Sequence, residues 1–315
     1  MLRTILVPLD GSPLSEQALP IAGPLAAATG ARLLLVRAAW VPHLADLSPQ
    51  DAEIHSIQVA EEYLATIKTR LEADGLVVDT AIPFAPAGEG ILIEIDLHYP
   101  DLVVMSTHGR SGISRLLFGS VAETVVARSS APVLLVRVAR AELPIQPIKP
   151  QPAILVPLDG SAFAEAALVH ARELALALGG ELVLMRAVVP PPQWVDPMVV
   201  LPYPTEEAVT REDIEAKTYL TDLVTQLHTE GIRARGVVQI GRATDSILHE
   251  CEACEADLII MTTHARTGWN RAVFGSVAMG ILYHTDRPIL LVNPKAERAG
   301  EAEKPVKDPP LLIHT

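Results

Sequence analysis

The stretch Ser106-Thr107-His108-Gly109-Arg110-Ser111-Gly112, completed by Phe118-Gly119-Ser120-Val121, has the residue types of an anion cradle. It follows the apolar run Leu102–Ser106 and leads into a helical pattern at Ser120. Glycines let main-chain N–H groups approach an anion and permit positive φ. A helix N-terminus adds unsatisfied donors and a favourable dipole. Arg110 and Arg115 supply positive charge. A plain glycine turn would use the same residues. Neither G-x-x-x-x-G-K-[ST] nor G-x-G-x-x-G occurs, which disfavours P-loop and Rossmann dinucleotide readings. A carboxylate, Asp10, follows the first apolar run, Thr4–Leu9.

Both features occur twice. Ile5–Ser12 and Ile154–Ser161 are the same octapeptide, and Thr263-His264-Ala265-Arg266-Thr267-Gly268, with Phe274-Gly275-Ser276-Val277-Ala278, echoes the loop. A period near 150 residues is a whole domain rather than a solenoid unit. The chain therefore divides into residues 1–140, a proline-rich linker 141–152, residues 153–294 and a charged tail 295–315. The first motif repeats after 149 residues and the second after 156, so seven extra residues fall between them. Pro190–Pro204 is the expected insertion, as a lid or as packing against the sister domain.

Positioning these residues requires alternating strands and helices. In the first half, strands are expected at Thr4–Leu9, Leu33–Val36, Val77–Phe84, Leu102–Ser106 and Val133–Val138. Helices are expected from Ser12 to about Ala28, over Ser56–Ala73, Gly88–His98 and Ser120–Arg128. The second half repeats the strands at Ile154–Leu158, Leu182–Met185, Ala234–Ile240, Leu258–Met261 and Ile289–Val292. The predicted fold class is α/β: two tandem open parallel five-stranded sheets with helices on both faces. Ligands in such sheets bind beyond the carboxyl ends of the strands, where strand order reverses. If the first and fourth strands are neighbours, Asp10 and the loop face one crevice.

The formal charge of −13 disfavours a nucleic-acid partner. No apolar run reaches membrane-spanning length, and a cytoplasmic location is the default expectation. The two cysteines, Cys251 and Cys254, lie in an expected helix, Ser246–Glu255, with His249 as the one obvious neighbouring ligand. They are half a zinc site at most and read as structural thiols; the compartment disfavours a disulfide.

Together the opening strand, the loop and the closing Pro-Val-Leu-Leu-Val strand resemble the universal stress protein family in its tandem two-domain form. The resemblance runs from Thr4 to Val138 and from Ala153 to Asn293. It implies the Rossmann-like fold of the adenine-nucleotide alpha-hydrolase type. Nucleotide-binding members carry G-x2-G-x9-G-[S/T] after the fourth strand. Here the first half reads Ser106-x2-Gly109-x9-Gly119-Ser120 and the second Thr262-x2-Ala265-x9-Gly275-Ser276. Alanine at a positive-φ position costs about 1 kcal/mol, and its methyl crowds a phosphate held on the main chain. The first half is thus the expected ATP site and the second a degenerate copy.

By that resemblance, Asp10 would meet the ribose–phosphate or a divalent metal, such as magnesium, carried by ATP. Ala38 would lie against adenine, and Gly109, Gly119 and Ser120 would bind phosphates. The full expected set is Pro8, Asp10, Ala38, Ser106, Thr107, His108, Gly109, Arg110, Gly112, Gly119, Ser120 and Val121. The weaker copy comprises Asp159, Ala187, Thr262, Ala265, Gly275 and Ser276. No metal is expected in the protein alone. Single-domain relatives pair through their last strand, which implies an intramolecular pseudo-dimer here and leaves room for a homo-oligomer.

Simpler roles compete at several positions. Asp10 also fits a turn before a helix cap, and Ser120-Val121-Ala122-Glu123 also reads as a capping box. His108 and His264 have no recognisable paired nucleophile and are expected to brace their loops. Arg37 and Arg186 are expected to form ion pairs or to sit as solvated strand ends. Three functions follow: an ATP-binding sensor or regulator with at most weak ATPase activity, a nucleotide-free scaffold, and a nucleotide-cleaving enzyme. The last lacks a Ser-Gly-Gly loop after the first strand.

Overall fold

The structure, a computed structural model, describes residues 2–40, 48–107, 119–137, 147–188, 206–263 and 275–294. The first half runs β1 (Thr4–Pro8), α1 (Pro13–Glu16), α2 (Leu19–Thr29), β2 (Arg32–Val36), α3 (Pro49–Ala73), β3 (Val78–Ala81), α4 (Ala87–His98), β4 (Leu102–Ser106), α5 (Ser120–Arg128) and β5 (Val133–Val136). The second half repeats it as β6 (Ala153–Pro157), α6 (Ala162–Glu165), α7 (Ala167–Leu178), β7 (Glu181–Val188), α8 (Glu206–Thr229), β8 (Arg233–Ile240), α9 (Ala243–Ala253), β9 (Leu258–Thr262), α10 (Ser276–His284) and β10 (Ile289–Val292).

Within each half the strands are parallel, in the order β3-β2-β1-β4-β5 and its mirror β10-β9-β6-β7-β8. The two expected sheets are joined edge to edge into one of ten strands, β5 pairing antiparallel with β10 through Leu134 opposite Leu290. Both faces are covered. Along β1, Ile5 and Val7 enter the core under α2 and α3, whereas Leu6 enters the core under α4 and α5. The two-residue period of a strand divides one apolar run between two cores.

Five expectations about elements need correction, one being the helix expected at Ser246–Glu255, which runs over Ala243–Ala253 as α9. The helix from Ser12 is two helices, broken between Glu16 and Leu19. Pro20 cannot donate an N–H to the preceding turn, yet α6 also ends at the matching Glu165 and a separate α7 follows with Val169 in place of that proline, so the break belongs to the fold. The long helix α3 starts at Pro49 instead of Ser56. Its signal was legible: Ser48 Oγ accepts the Asp51 N–H at 3.2 Å and donates to Asp51 Oδ2 at 2.6 Å, a serine cap with an acid three residues on. Strand β3 is shorter than Val77–Phe84: it spans Val78–Ala81, and Pro83, which lacks a ladder donor, pairs beyond it only through its carbonyl. Strand β7 is longer than expected, since β8 pairs with it along its whole length. Pro190–Pro204, the tail from 295 and linker residues 138–146 lie outside the described residues.

Candidate nucleotide-binding site

Strand order reverses between β1 and β4, which pair directly through Ile5 opposite Leu102 and Leu6 opposite Val103. A cavity of 560 Å³ opens beyond their carboxyl ends. Pro8, Asp10, Ala38, Ser106, Thr107, Gly119, Ser120 and Val121 all line it. The remaining expected positions of the first half, His108, Gly109, Arg110 and Gly112, lie outside the described residues, as does Arg115.

The first wall is the turn after β1. Asp10 Oδ1 accepts the Ser12 N–H at 2.9 Å, and the Asp10 N–H donates to Ser15 Oγ at 3.2 Å. Ser12 Oγ caps α1 through the Ser15 N–H at 3.2 Å. Asp10 is therefore a turn residue and a cavity residue at once; the two readings from sequence are compatible.

The second wall continues β2. The Arg37 N–H donates to the Ala81 carbonyl and the Ala39 N–H to the Pro83 carbonyl, both at 3.1 Å, so pairing with the β3 segment continues past the strand ends. Ala38 sits between them. Helix α4 comes close here because residue 90 is glycine: a Cβ on Gly90 would lie 3.0 Å from Pro83 Cγ and 3.5 Å from Ala38 Cβ.

The third wall is the pair of loop ends. The Gly119 N–H donates to the Thr107 carbonyl at 2.9 Å, bringing both ends of the 108–118 loop together. That bond holds Gly119 extended (φ −67°, ψ 146°), and the helix begins one residue later. The expected capping box is therefore not formed: Gly119 is the N-cap, and Ser120 is the first helical residue with no cap bond from its side chain. Gly275 and Ser276 start α10 in the same way without a glutamate. The N–H groups of Ser120, Val121 and Ala122 have no partner within their own helix, and all three residues line the cavity. The Gly119 N–H is committed to Thr107 and is not one of these donors.

Behind the cavity lies a cluster that sequence reading missed. Arg37 is 8% exposed, and its guanidinium lies 4.7 Å from the centre of the Tyr63 ring. Tyr63 donates to Glu16 Oε1 at 3.1 Å, and Arg70 pairs with Glu16 Oε2 at 3.0 Å. The second half keeps the arrangement: Arg186 lies 5.4 Å from the Tyr219 ring centre, and Tyr219 donates to Glu165 at 2.9 Å. Burial, reinforced by the adjacent carboxylate, pushes both phenols far up, so each stays a proton donor. The solvated strand-end reading is wrong for Arg37, because the guanidinium is desolvated over an aromatic ring. The offsets of 149 and 156 residues carry Glu16 to Glu165, Arg37 to Arg186 and Tyr63 to Tyr219, the signal that could have found them.

In the second half, Asp159 follows β6 and Oδ1 accepts the Ser161 N–H at 2.9 Å. Burial alone would raise its carboxyl; hydrogen bonds from Ser161 and the Arg186 charge outweigh that and hold it below the usual carboxylate range. Ala187 lies in β7, Thr262 ends β9, and Gly275 and Ser276 open α10. Ala265 and His264 lie outside the described residues. The Arg186 guanidinium leans over the turn, Nη1 standing 3.0 Å from where a Cβ on Gly160 would be.

No group of three or more His, Cys, Asp or Glu residues among those described could hold a metal ion. Cys251 is buried with Sγ 3.9 Å from Thr285 Oγ1, and burial raises both thiols, the setting of an unreactive cysteine. No described helix is long and apolar enough to cross a membrane.

The universal stress protein family model matches residues 1–137 and again 152–293. A universal stress protein of Mycobacterium tuberculosis is 27% identical over 243 residues, 76% of this chain and 75% of that one. One from Thermus aquaticus is 36% identical over 146 residues, 44% of this chain and 100% of that one. The crystal structure of a universal stress protein from Archaeoglobus fulgidus matches with a TM-score of 0.69 at 20% identity, covering 92% of this chain and 96% of that one, a likeness of fold.

Proposed function

The chain belongs to the universal stress protein family, and from that premise we propose that it is a cytoplasmic stress-response protein that binds ATP chiefly in its first half, as a sensor or regulator. The observation that carries this reading is the cavity at the β1–β4 switch point. Its 560 Å³ falls within the range of small-molecule pockets, about 300–1,000 Å³. Its wall supplies different chemistry at its different parts. The apolar strip at Ala38 and Ala39 suits a base. The N–H groups of Ser120, Val121 and Ala122 suit phosphates at a helix N-terminus. Asp10 offers one carboxylate to a divalent ion such as magnesium, which usually keeps its waters and takes its other ligands from the phosphates.

In the second half, the alanine at 265 and the branched side chain of Thr262 stand where the first half has Gly109 and Ser106. We take residues 1–140 and 153–294 as the two domains, 141–152 as linker and 295–315 as tail. The β5–β10 pairing supports an intramolecular pseudo-dimer.

The test is mass spectrometry of nucleotide released from the denatured pure protein, followed by calorimetry with ATP and magnesium. One nucleotide per chain is expected. Neither co-purified nucleotide nor measurable binding would overturn the reading in favour of a nucleotide-free scaffold.

A further inference from the structure

Aromatic residues are scarce in this chain, with Phe, Tyr and Trp together making 4% of it, yet two of them stand in solvent side by side at the cavity mouth. Trp40 is 46% exposed and Phe84 is 41% exposed, with ring centres 5.4 Å apart and planes tilted by 56°. The backbone places them there. The Ala39 N–H bond to the Pro83 carbonyl aligns the two segments beyond β2 and β3, and Trp40 and Phe84 are the next residues on each. Trp40 also lines the cavity, together with His55, Ser56 and Val59 of α3.

The pair is peculiar to the first half. The repeat offsets carry Trp40 to Val189 and Phe84 to Ile240, both aliphatic. If the aromatics merely covered the end of the sheet, an aliphatic pair would serve in both halves. A tilted, half-exposed indole next to an apolar strip offers instead a π-face, which binds planar bases with little regard to their hydrogen-bonding edges. Trp40 follows Ala38 by two residues, about 7 Å of extended chain, so its ring borders the strip assigned above to the base.

We propose that Trp40, held by Phe84, is the base-stacking and specificity-determining residue of the first-half site, selecting nucleotides over bare polyphosphate and purines over pyrimidines. This rests on the ATP-binding reading. The larger π-surface of a purine stacks better, and phosphate-only ligands gain nothing from the indole.

The experiment uses the full chain with Trp194 and Trp269 replaced by phenylalanine, leaving Trp40 as the sole indole. ATP is expected to change its fluorescence, whereas inorganic tripolyphosphate is not. In calorimetry, Trp40→Ala should weaken ATP binding by about tenfold, the low end of base–aromatic stacking because the ring is half exposed. Trp40→Phe should restore most of that loss. UTP should bind the unsubstituted chain more weakly than ATP and lose less on Trp40→Ala. Equal affinity of Trp40→Ala for ATP, or an equal loss for tripolyphosphate, would overturn this inference and leave the ATP reading standing. No ATP binding by the unsubstituted chain would overturn both. Unchanged circular dichroism and melting temperature of Trp40→Ala should accompany the expected result, since the side chain is not a core residue.

Discussion

A Cβ on Gly280 would lie 2.7 Å from Cγ2 of Thr244, closer than real carbons approach. Its twin reverses the partners: a Cβ on Gly88 would lie 3.0 Å from Cγ2 of Thr124. The repeat offset of 156 carries Gly88 to Thr244 and Thr124 to Gly280. The same helix–helix contact, α4 on α5 and α9 on α10, thus holds one threonine and one glycine in each half, on opposite helices. The space between the helices fits one side chain, and the two copies fill it from opposite sides.

Gly88→Thr should destabilise the first half by about 1–3 kcal/mol, the usual cost of overfilling a close contact. Adding Thr124→Gly should recover much of that loss, because it recreates the arrangement of the second half. A double-mutant cycle in urea reads the coupling; additive losses would show that the exchange is unrelated to packing.

Gly119→Ala separates folding from binding. Residue 119 has φ −67°, which any residue adopts, and a Cβ there would meet only the Thr107 carbonyl, at 3.5 Å. Melting temperature should change little, since alanine has less unfolded-state entropy to lose but is a poorer N-cap than glycine. On the proposed ATP reading, affinity should fall tenfold or more, because the methyl would stand between a phosphate and the α5 N-terminus. Gly275→Ala, with open space around its Cβ, should leave both stability and ATP stoichiometry unchanged.

Ser161→Ala should cost about 0.5–2 kcal/mol, the loss of a helix cap, because Ser161 Oγ accepts the Ala164 N–H at 3.1 Å. It should also raise the Asp159 pKa towards the ordinary carboxylate value by removing a hydrogen bond to the ionised form. The sign follows from linkage: a carboxyl held low in the fold stabilises it above the unfolded pKa, and that contribution is lost as pH falls through the folded value. In the variant the loss on acidification from Asp159 should therefore shrink, read by carboxyl NMR titration beside melting curves at low pH.

Arg137, just beyond β5, donates through Nη1 to the carbonyls of Tyr283 and Thr285, both at 2.9 Å, and stands 3.7 Å from Asp286 Oδ1. It ties the last strand of the first half to the end of α10 in the second. Arg137→Ala should lower stability by about 1.5–3 kcal/mol, the range for charged hydrogen bonds. Arg137→Lys should recover part of it as a single point charge. Denaturation followed separately by a probe in each half should lose coincidence in the alanine variant.

The sequence by itself determined the duplication, the α/β order and the turn and loop residues that the crevice needs. An identical octapeptide, apolar runs of strand length and glycines before a helical pattern are local signals. They say which residues face inward and where the chain turns, and Asp10 and Ser106–Thr107 met at one cavity because β1 and β4 became neighbours. Only the tertiary structure decided what depends on partners far apart in the chain. The antiparallel join of β5 to β10 rests on sheet edges that resemble any other buried strand. The start of α3 at Pro49 was readable from its Ser48 cap; its use as a cavity wall was not. Arg37 looked like a strand end until Tyr63, supplied by another helix, covered it. Trp40 and Phe84 are 44 positions apart, and only the pairing past β2 and β3 makes them one aromatic surface. Periodicity records burial; it does not record which neighbour a side chain meets, and the walls of the cavity are built from those meetings.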